Sequence, residues 1–237
     1  MKTTLLALVA GALFASQTLA ADWQSEYARL LAKYVTPTGV KYAAWKGNAA
    51  DVQAIQTVVD AVAAAPASSA KGKEQLAFYI NAYNAWILHE ALGKYPTKSV
   101  KDALFTFFTG KRIVVAGEKT SFKRLEDDVI RARFSEPRVH VALNCASRSC
   151  PPLRAEPYTA AKLDAQLDEQ ARGYVNEDRG VKAAGDSAQL SKIFDWYKDD
   201  FGGEAGVNAF LAKYRGGKAS FKKVTYQDYD WSLNEAK

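Results

Sequence analysis

The chain has 237 residues, 32 Lys and Arg against 26 Asp and Glu, and only two histidines and two cysteines. Its basic residues are scattered in short pairs such as Lys111-Arg112 and Lys222-Lys223, without the basic stripe and interleaved aromatics that nucleic-acid binding needs, so the net charge of +6 points to solubility. So small a His and Cys inventory also speaks against a closed four-ligand metal site, and no cofactor is indicated.

The N-terminus reads Met1-Lys2-Thr3-Thr4, then an apolar run from Leu5 to Ala15, then Ser16-Gln17-Thr18-Leu19-Ala20. A short basic start, an apolar stretch too short for a bilayer and small residues before Ala20 predict a cleavable secretory signal over residues 1–20. No Cys follows it, so no lipid anchor is expected. No later apolar stretch approaches membrane-spanning length, so no membrane span is expected after leader removal. The expected location is periplasmic or secreted. The remainder, residues 22–237, is long enough to bury roughly 70% of its unfolded surface in a single domain.

From Asp22, a plausible N-cap, the spacing of Trp23, Tyr27, Leu30, Leu31 and Tyr34 predicts a helix, broken at Thr36-Pro37-Thr38-Gly39. Val40 to Tyr42 reads as a short extended piece. A second amphipathic helix carries Val52, Ile55, Val58, Val59 and Val62. The stretch from Glu74 to Leu92 is apolar all round, which predicts a buried central helix. An apolar stretch, Val100 to Phe108, leads to a hairpin with arms Arg112–Val115 and Lys119–Phe122. Ser121 is placed to cap a helix reaching about Arg133, and the acidic run Glu126-Asp127-Asp128 reads as its solvated face. Arg138 to Leu143 reads as a buried strand, followed by a loop from Asn144 to Arg154 in which Pro151-Pro152 forbids helix. A helix from Thr159, an extended piece from Gln189 to Phe194, a helix through Val207 and Tyr214, and a strand from Phe221 to Tyr226 complete the chain. The expected fold is α+β: a single compact domain, helices packed on a small, mainly antiparallel sheet, with a buried central helix.

Few residues are available for chemistry. Cys145 and Cys150 are separated by four residues, which matches neither a thioredoxin motif nor a zinc knuckle. In an oxidising compartment the simplest reading is a local disulfide; a reactive thiol or redox pair, with Arg138 or Arg148 stabilising a thiolate, is the alternative. On the expected strand, His140 and Asn144 face one way, at the end where the Cys loop starts. Asn81 and Asn84 share a face of the central helix, and buried amides there must hold the Cys loop, a ligand or each other. Asp230, in Asp228-Tyr229-Asp230-Trp231, is a further candidate for a carboxylate returned toward the core.

Several segments in order, Phe78-Tyr79-Ile80-Asn81-Ala82-Tyr83-Asn84-Ala85, Arg138 to Cys145, Ser149-Cys150-Pro151-Pro152-Leu153, Leu190 to Phe194 with Trp196-Tyr197, Asp200-Phe201, and Tyr229 to Asn234, resemble the domain of unknown function 547 family. That resemblance implies no activity. The family pattern carries Glu-His after the hairpin where this chain has Glu126-Asp127, so no role for an imidazole is expected there. A looser analogy with papain-like and transglutaminase-like folds supplies the order helix, histidine, late acid, but no Cys, Ser or Thr lies from Lys71 to Ala85 to act as nucleophile.

Three functions follow as expectations. The first is a thiol-dependent hydrolase or acyl transferase, with Cys145 as nucleophile, His140 as base and Asn81 or Asn84 as the amide that orients groups or stabilises an oxyanion, Asn144 being a further binding candidate. The second is a non-catalytic binding module with a structural Cys145–Cys150 disulfide. The third is a thiol–disulfide redox protein. The sequence names no partner.

Overall fold

The computed structural model describes residues 23–68, 71–101, 108–110, 112–216 and 221–237. The leader, the Asp22 cap and most of the Val100–Phe108 stretch lie outside the described residues.

A helix over 23–34 (α1) buries Trp23, Tyr27, Leu30, Leu31 and Tyr34, as the spacing requires. It runs into a two-stranded hairpin, Val35–Thr36 (β1) and Gly39–Val40 (β2). Extension ends there, because Tyr42–Lys46 forms a short helix (α2) that buries Tyr42 and Trp45. Ala49–Ala64 (α3) begins at Asn48, whose side chain accepts from the Asp51 N–H. Lys73–Lys94 (α4) is the central helix, buried without interruption from Tyr79 to Leu88. It packs in one cluster with α1, α2 and α3 and with the hairpin Ile113–Val115 (β3) and Glu118–Thr120 (β4). A second cluster joins helices Leu163–Asn176 and Gly203–Arg215 to a three-stranded sheet, Val181–Ala184 (β5), Ser187–Leu190 (β6) and Lys223–Tyr226 (β7). In that sheet β5 and β6 are antiparallel and β6 and β7 parallel. The molecule is thus one α+β domain in which, among the described residues, the strands are divided among three small sheets, and the central helix buries against helices and a hairpin.

Three local expectations change. Arg138 to Leu143 is no strand: Pro137–Val141 is a 3-10 helix, capped by the Glu136 side chain on the Arg138 N–H with proline in its first turn. Gln189 to Phe194 is extended only to Leu190, and Ile193–Trp196 turns into a helix. The helix capped by Ser121 is regular only at its ends, Phe122–Arg124 and Ala132–Phe134; Leu125–Arg131 between them is a π-helix. Its wider turn brings residues five apart onto one side, so Glu126, Asp127 and Arg131 line one cleft and, of the acidic run, only Asp128 is exposed.

The C-terminal segment fastens these parts together. Val40 donates to the Asn234 carbonyl and Leu233 to that of Lys98, while Asn234 donates to Ala146 and Arg148 to Ser232. Gly39 makes the first contact possible: at φ +142° a Cβ there would lie 2.1 Å from the Asn234 carbonyl oxygen.

Candidate functional site

The loop after the 3-10 helix is built around buried amides. Asn84 on α4 donates to the Ala142 carbonyl at 2.9 Å and accepts from the Asn144 N–H at 2.9 Å. Asn144 in turn donates to the Pro151 carbonyl at 2.6 Å and accepts from the Ala146 N–H at 2.7 Å, closing the loop on itself. Ala146 is held in the left-handed region, φ +61°, an unfavourable conformation for a residue with a Cβ. Asn81 grips Tyr158 by both backbone groups, at 2.8 and 2.9 Å. The central-helix asparagines therefore hold loops, Asn84 that of the cysteines and Asn81 the chain beyond it.

This frame brings the two cysteines together. Both are free, with the sulphurs 2.6 Å apart, so the expected local disulfide is not formed in this structure. The Cys145 N–H donates to the Cys150 sulphur at 2.8 Å. Cys150 is buried, 4% exposed, whereas Cys145 is half-buried. The Cys145 sulphur also lies 3.0 Å from the Ser147 hydroxyl and 3.3 Å from the Tyr229 hydroxyl. Burial alone pushes the Cys145 thiol up, but hydrogen bonds from Cys150, Ser147 and Tyr229 outweigh it and hold the group below the ordinary thiol value. The Cys150 thiol goes the other way, raised by its burial and by the charge of Cys145. Neither Arg138 nor Arg148 supplies the stabilisation expected of it. Arg138 is taken up by Glu136, Asp164 and Asp168, and Arg148 donates to the Glu235 carbonyl.

Tyr229 reaches the sulphur because Asp230 and Ser149 exchange hydrogen bonds: the Asp230 N–H donates to the Ser149 hydroxyl at 2.8 Å and the Ser149 N–H to the Asp230 carbonyl at 3.2 Å. The Asp230 carboxylate does not return to the core; it is exposed and accepts from Ser232 two residues on. The aromatic beside it turns inward in its place.

His140, only 3% exposed, stacks on Tyr197 at 3.9 Å and bonds the Asp200 carboxylate through Nε2 at 2.7 Å. Burial lowers its pKa to about 4, so the ring is neutral near pH 7. Arg131 keeps Asp200 ionised through contacts of 2.6 and 2.9 Å; the carboxylate therefore accepts and the Nε2 proton is donated. The other ring nitrogen, Nδ1, is buried without a hydrogen-bond partner.

Cys145, Cys150, His140, Glu126, Tyr197 and Tyr229 all line one cleft of about 510 Å³. Glu126 accepts from the Tyr83 hydroxyl at 3.4 Å, and burial raises its pKa. Of the sequence candidates, His140, Cys145 and Cys150 meet in this cleft, whereas Asn81, Asn84, Asn144 and Asp230 build its surroundings. Ser147, Tyr197, Asp200 and Tyr229 were not among the site candidates. Among the described residues, no group of three or more His, Cys, Asp or Glu side chains is disposed to hold a metal ion, and no helix is long and apolar enough to cross a membrane.

Residues 67–175 match a family model described as "Protein of unknown function, DUF547". The matched stretch contains both cysteines, His140 and the three asparagines, while Asp200 and Tyr229 lie beyond it. No curated protein and no solved structure matches the chain.

Proposed function

We propose that this chain, a DUF547-family protein through residues 67–175, is an exported thiol–disulfide exchange protein that works through Cys145 and Cys150. The observation that carries the reading is the asymmetry of the pair. A half-buried thiol of lowered pKa and a deeply buried thiol of raised pKa, 2.6 Å apart, line the same cleft. That is the arrangement of an attacking and a resolving cysteine.

The Cys145 thiolate attacks one sulphur of a substrate disulfide, forming a mixed disulfide and releasing the other sulphur as a thiolate that takes up a proton. Cys150 then loses its proton and attacks the Cys145 sulphur. The internal disulfide forms, the second substrate thiolate leaves, and two electrons have passed from the protein to the substrate. The reverse sequence oxidises a substrate dithiol. Tyr229 and Ser147 stabilise Cys145 whenever it is the attacking or the leaving thiolate. Export, expected from the leader, sets the oxidising surroundings in which such a pair cycles. The kinetic test is exchange between a disulfide-linked peptide dimer and dithiothreitol. The wild-type protein is expected to accelerate it and Cys145→Ser to abolish the acceleration; a wild-type protein with no effect overturns the proposal.

One observation favours a second reading, acyl transfer or hydrolysis with Cys145 as nucleophile. His140 is oriented by Asp200 through Nε2 and leaves Nδ1 free, the state a general base requires. Yet the Cys145 sulphur has its hydrogen bonds with Cys150, Ser147 and Tyr229. Ester turnover that needs His140 and is indifferent to Cys150→Ser would establish this reading over exchange.

A further inference from the structure

The walls of the cleft differ in chemistry, and the difference bears on what it accepts. One wall is aromatic from the sulphur to the solvent. The Tyr229 hydroxyl sits 3.3 Å from the Cys145 sulphur, and its ring lies 4.5 Å from that of Trp231 and 4.8 Å from that of Trp196. The two indoles are stacked at 5.9 Å and 28°. Trp196 is 48% exposed; among the described residues it and Val224 are the large apolar side chains left most open to water. An indole kept half in water at the mouth of a cleft is a contact surface waiting for an apolar partner.

The part of the lining that comes from the π-helix carries charges that are already matched. Asp127 pairs with Lys123 and Arg131, both at 2.5 Å, and Arg131 with Asp200 at 2.6 Å. Glu126 is bonded to Tyr83, and burial favours its uncharged form. Among the described lining residues the remaining ionic group is Lys101, which is exposed to water. Among the described lining residues a strongly charged ligand would find no buried counter-charge, only the water-exposed Lys101, whereas an apolar ring would remove water from Trp196 without stranding a charge.

Building on the exchange reading, we propose that the substrate presents an aromatic or apolar side chain next to its disulfide, seated against Trp196 and Trp231. The substrate class is then a polypeptide disulfide flanked by such residues, and small, highly charged disulfides are poor substrates. Trp196 is the specificity-determining residue: it lies one ring from Tyr229, and Tyr229 touches the reacting sulphur.

The test uses the full-length reduced protein and two disulfide-linked peptide dimers, Phe-Cys-Phe and Asp-Cys-Asp, each rate divided by that of dithiothreitol on the same peptide. The wild-type protein is expected to prefer the Phe peptide by about tenfold or more in kcat/KM, the scale of a ring packed between aromatic faces. This preference runs against the protein's net charge of +6, which attracts the Asp peptide. In Trp196→Ala the ratio is expected to fall toward one, and in Trp196→Phe most of it to survive. Equal normalised rates in the wild type, or an undiminished ratio in a Trp196→Ala protein with unchanged circular dichroism, would overturn the inference while leaving exchange intact. Reaction with neither peptide would overturn the exchange reading beneath it.

Discussion

A buried thiol ordinarily keeps its proton, because desolvation penalises the thiolate. Cys145 departs from that rule through three short-range partners, and Tyr229 is the one that comes from farthest along the chain. Tyr229 itself is held well above the ordinary phenol range by burial and by the charges of the two cysteines, so it keeps the proton it donates. Replacing Tyr229 with Phe leaves the ring stack and removes only the donor. The rate of Cys145 alkylation by iodoacetamide, followed against pH, should then titrate about one unit higher than in the wild type, the equivalent of one hydrogen bond to a charged group. An unchanged titration would remove Tyr229 from the site. None of this was legible from spacing. The Tyr229-Asp230-Trp231 segment offers its acid as the inward group, but which of three adjacent side chains turns inward depends on the Asp230–Ser149 contact, which joins residues 81 positions apart.

The elements show where sequence patterns carry and where they stop. An all-round apolar run from Glu74 to Leu92 has one physical solution, a buried helix, and α4 is that helix. Its two asparagines were equally legible as amides in need of partners, and Asn84 does bind the Cys loop. Replacing Asn84 with Ala strands the Ala142 carbonyl and the Asn144 N–H inside the core. Urea unfolding should therefore show a loss of about 1–3 kcal/mol; a loss within error would mean that the loop is held by its own bonds. The run from Arg138 to Leu143 reads as a buried strand and is a 3-10 helix as far as Val141, because six mostly apolar residues fit both. The decision lay just upstream, in Glu136 as cap and Pro137 in the first turn. The acidic run from Glu126 misled for another reason: assigning a face assumes 3.6 residues per turn, and a π-helix changes that period. The site thus owes its charged wall to a backbone irregularity that composition does not announce.

In the whole molecule, helix Pro137–Val141 hands His140 to the second core cluster, where Tyr197, Phe201 and the Asp200–Arg131 pair surround it. The groups facing the ring are therefore Asp200, Arg131, Asp127 and Tyr197. With a folded-state pKa of about 4 against about 6.5 in an unfolded chain, His140 binds a proton more readily when unfolded. Its contribution to stability is complete above about pH 6.5 and is lost as the pH falls toward 4, by roughly 2–3 kcal/mol over that window. Asp127 and Asp200, both lowered, begin to contribute to acid unfolding only below about pH 4. Unfolding free energies between pH 7 and 4.5 should fall with pH in the wild type and run flatter in His140→Gln; parallel curves would contradict a neutral buried imidazole. The central claim, that Cys145 attacks and Cys150 resolves, is tested most directly by intact-mass measurement after mixing reduced protein with the Phe-Cys-Phe dimer. Cys150→Ser is expected to accumulate one peptide adduct, mapped to Cys145, while the wild type passes through that adduct to a protein lighter by two hydrogens. An adduct on Cys150, or a wild-type adduct that persists as the Cys150→Ser adduct does, would contradict it.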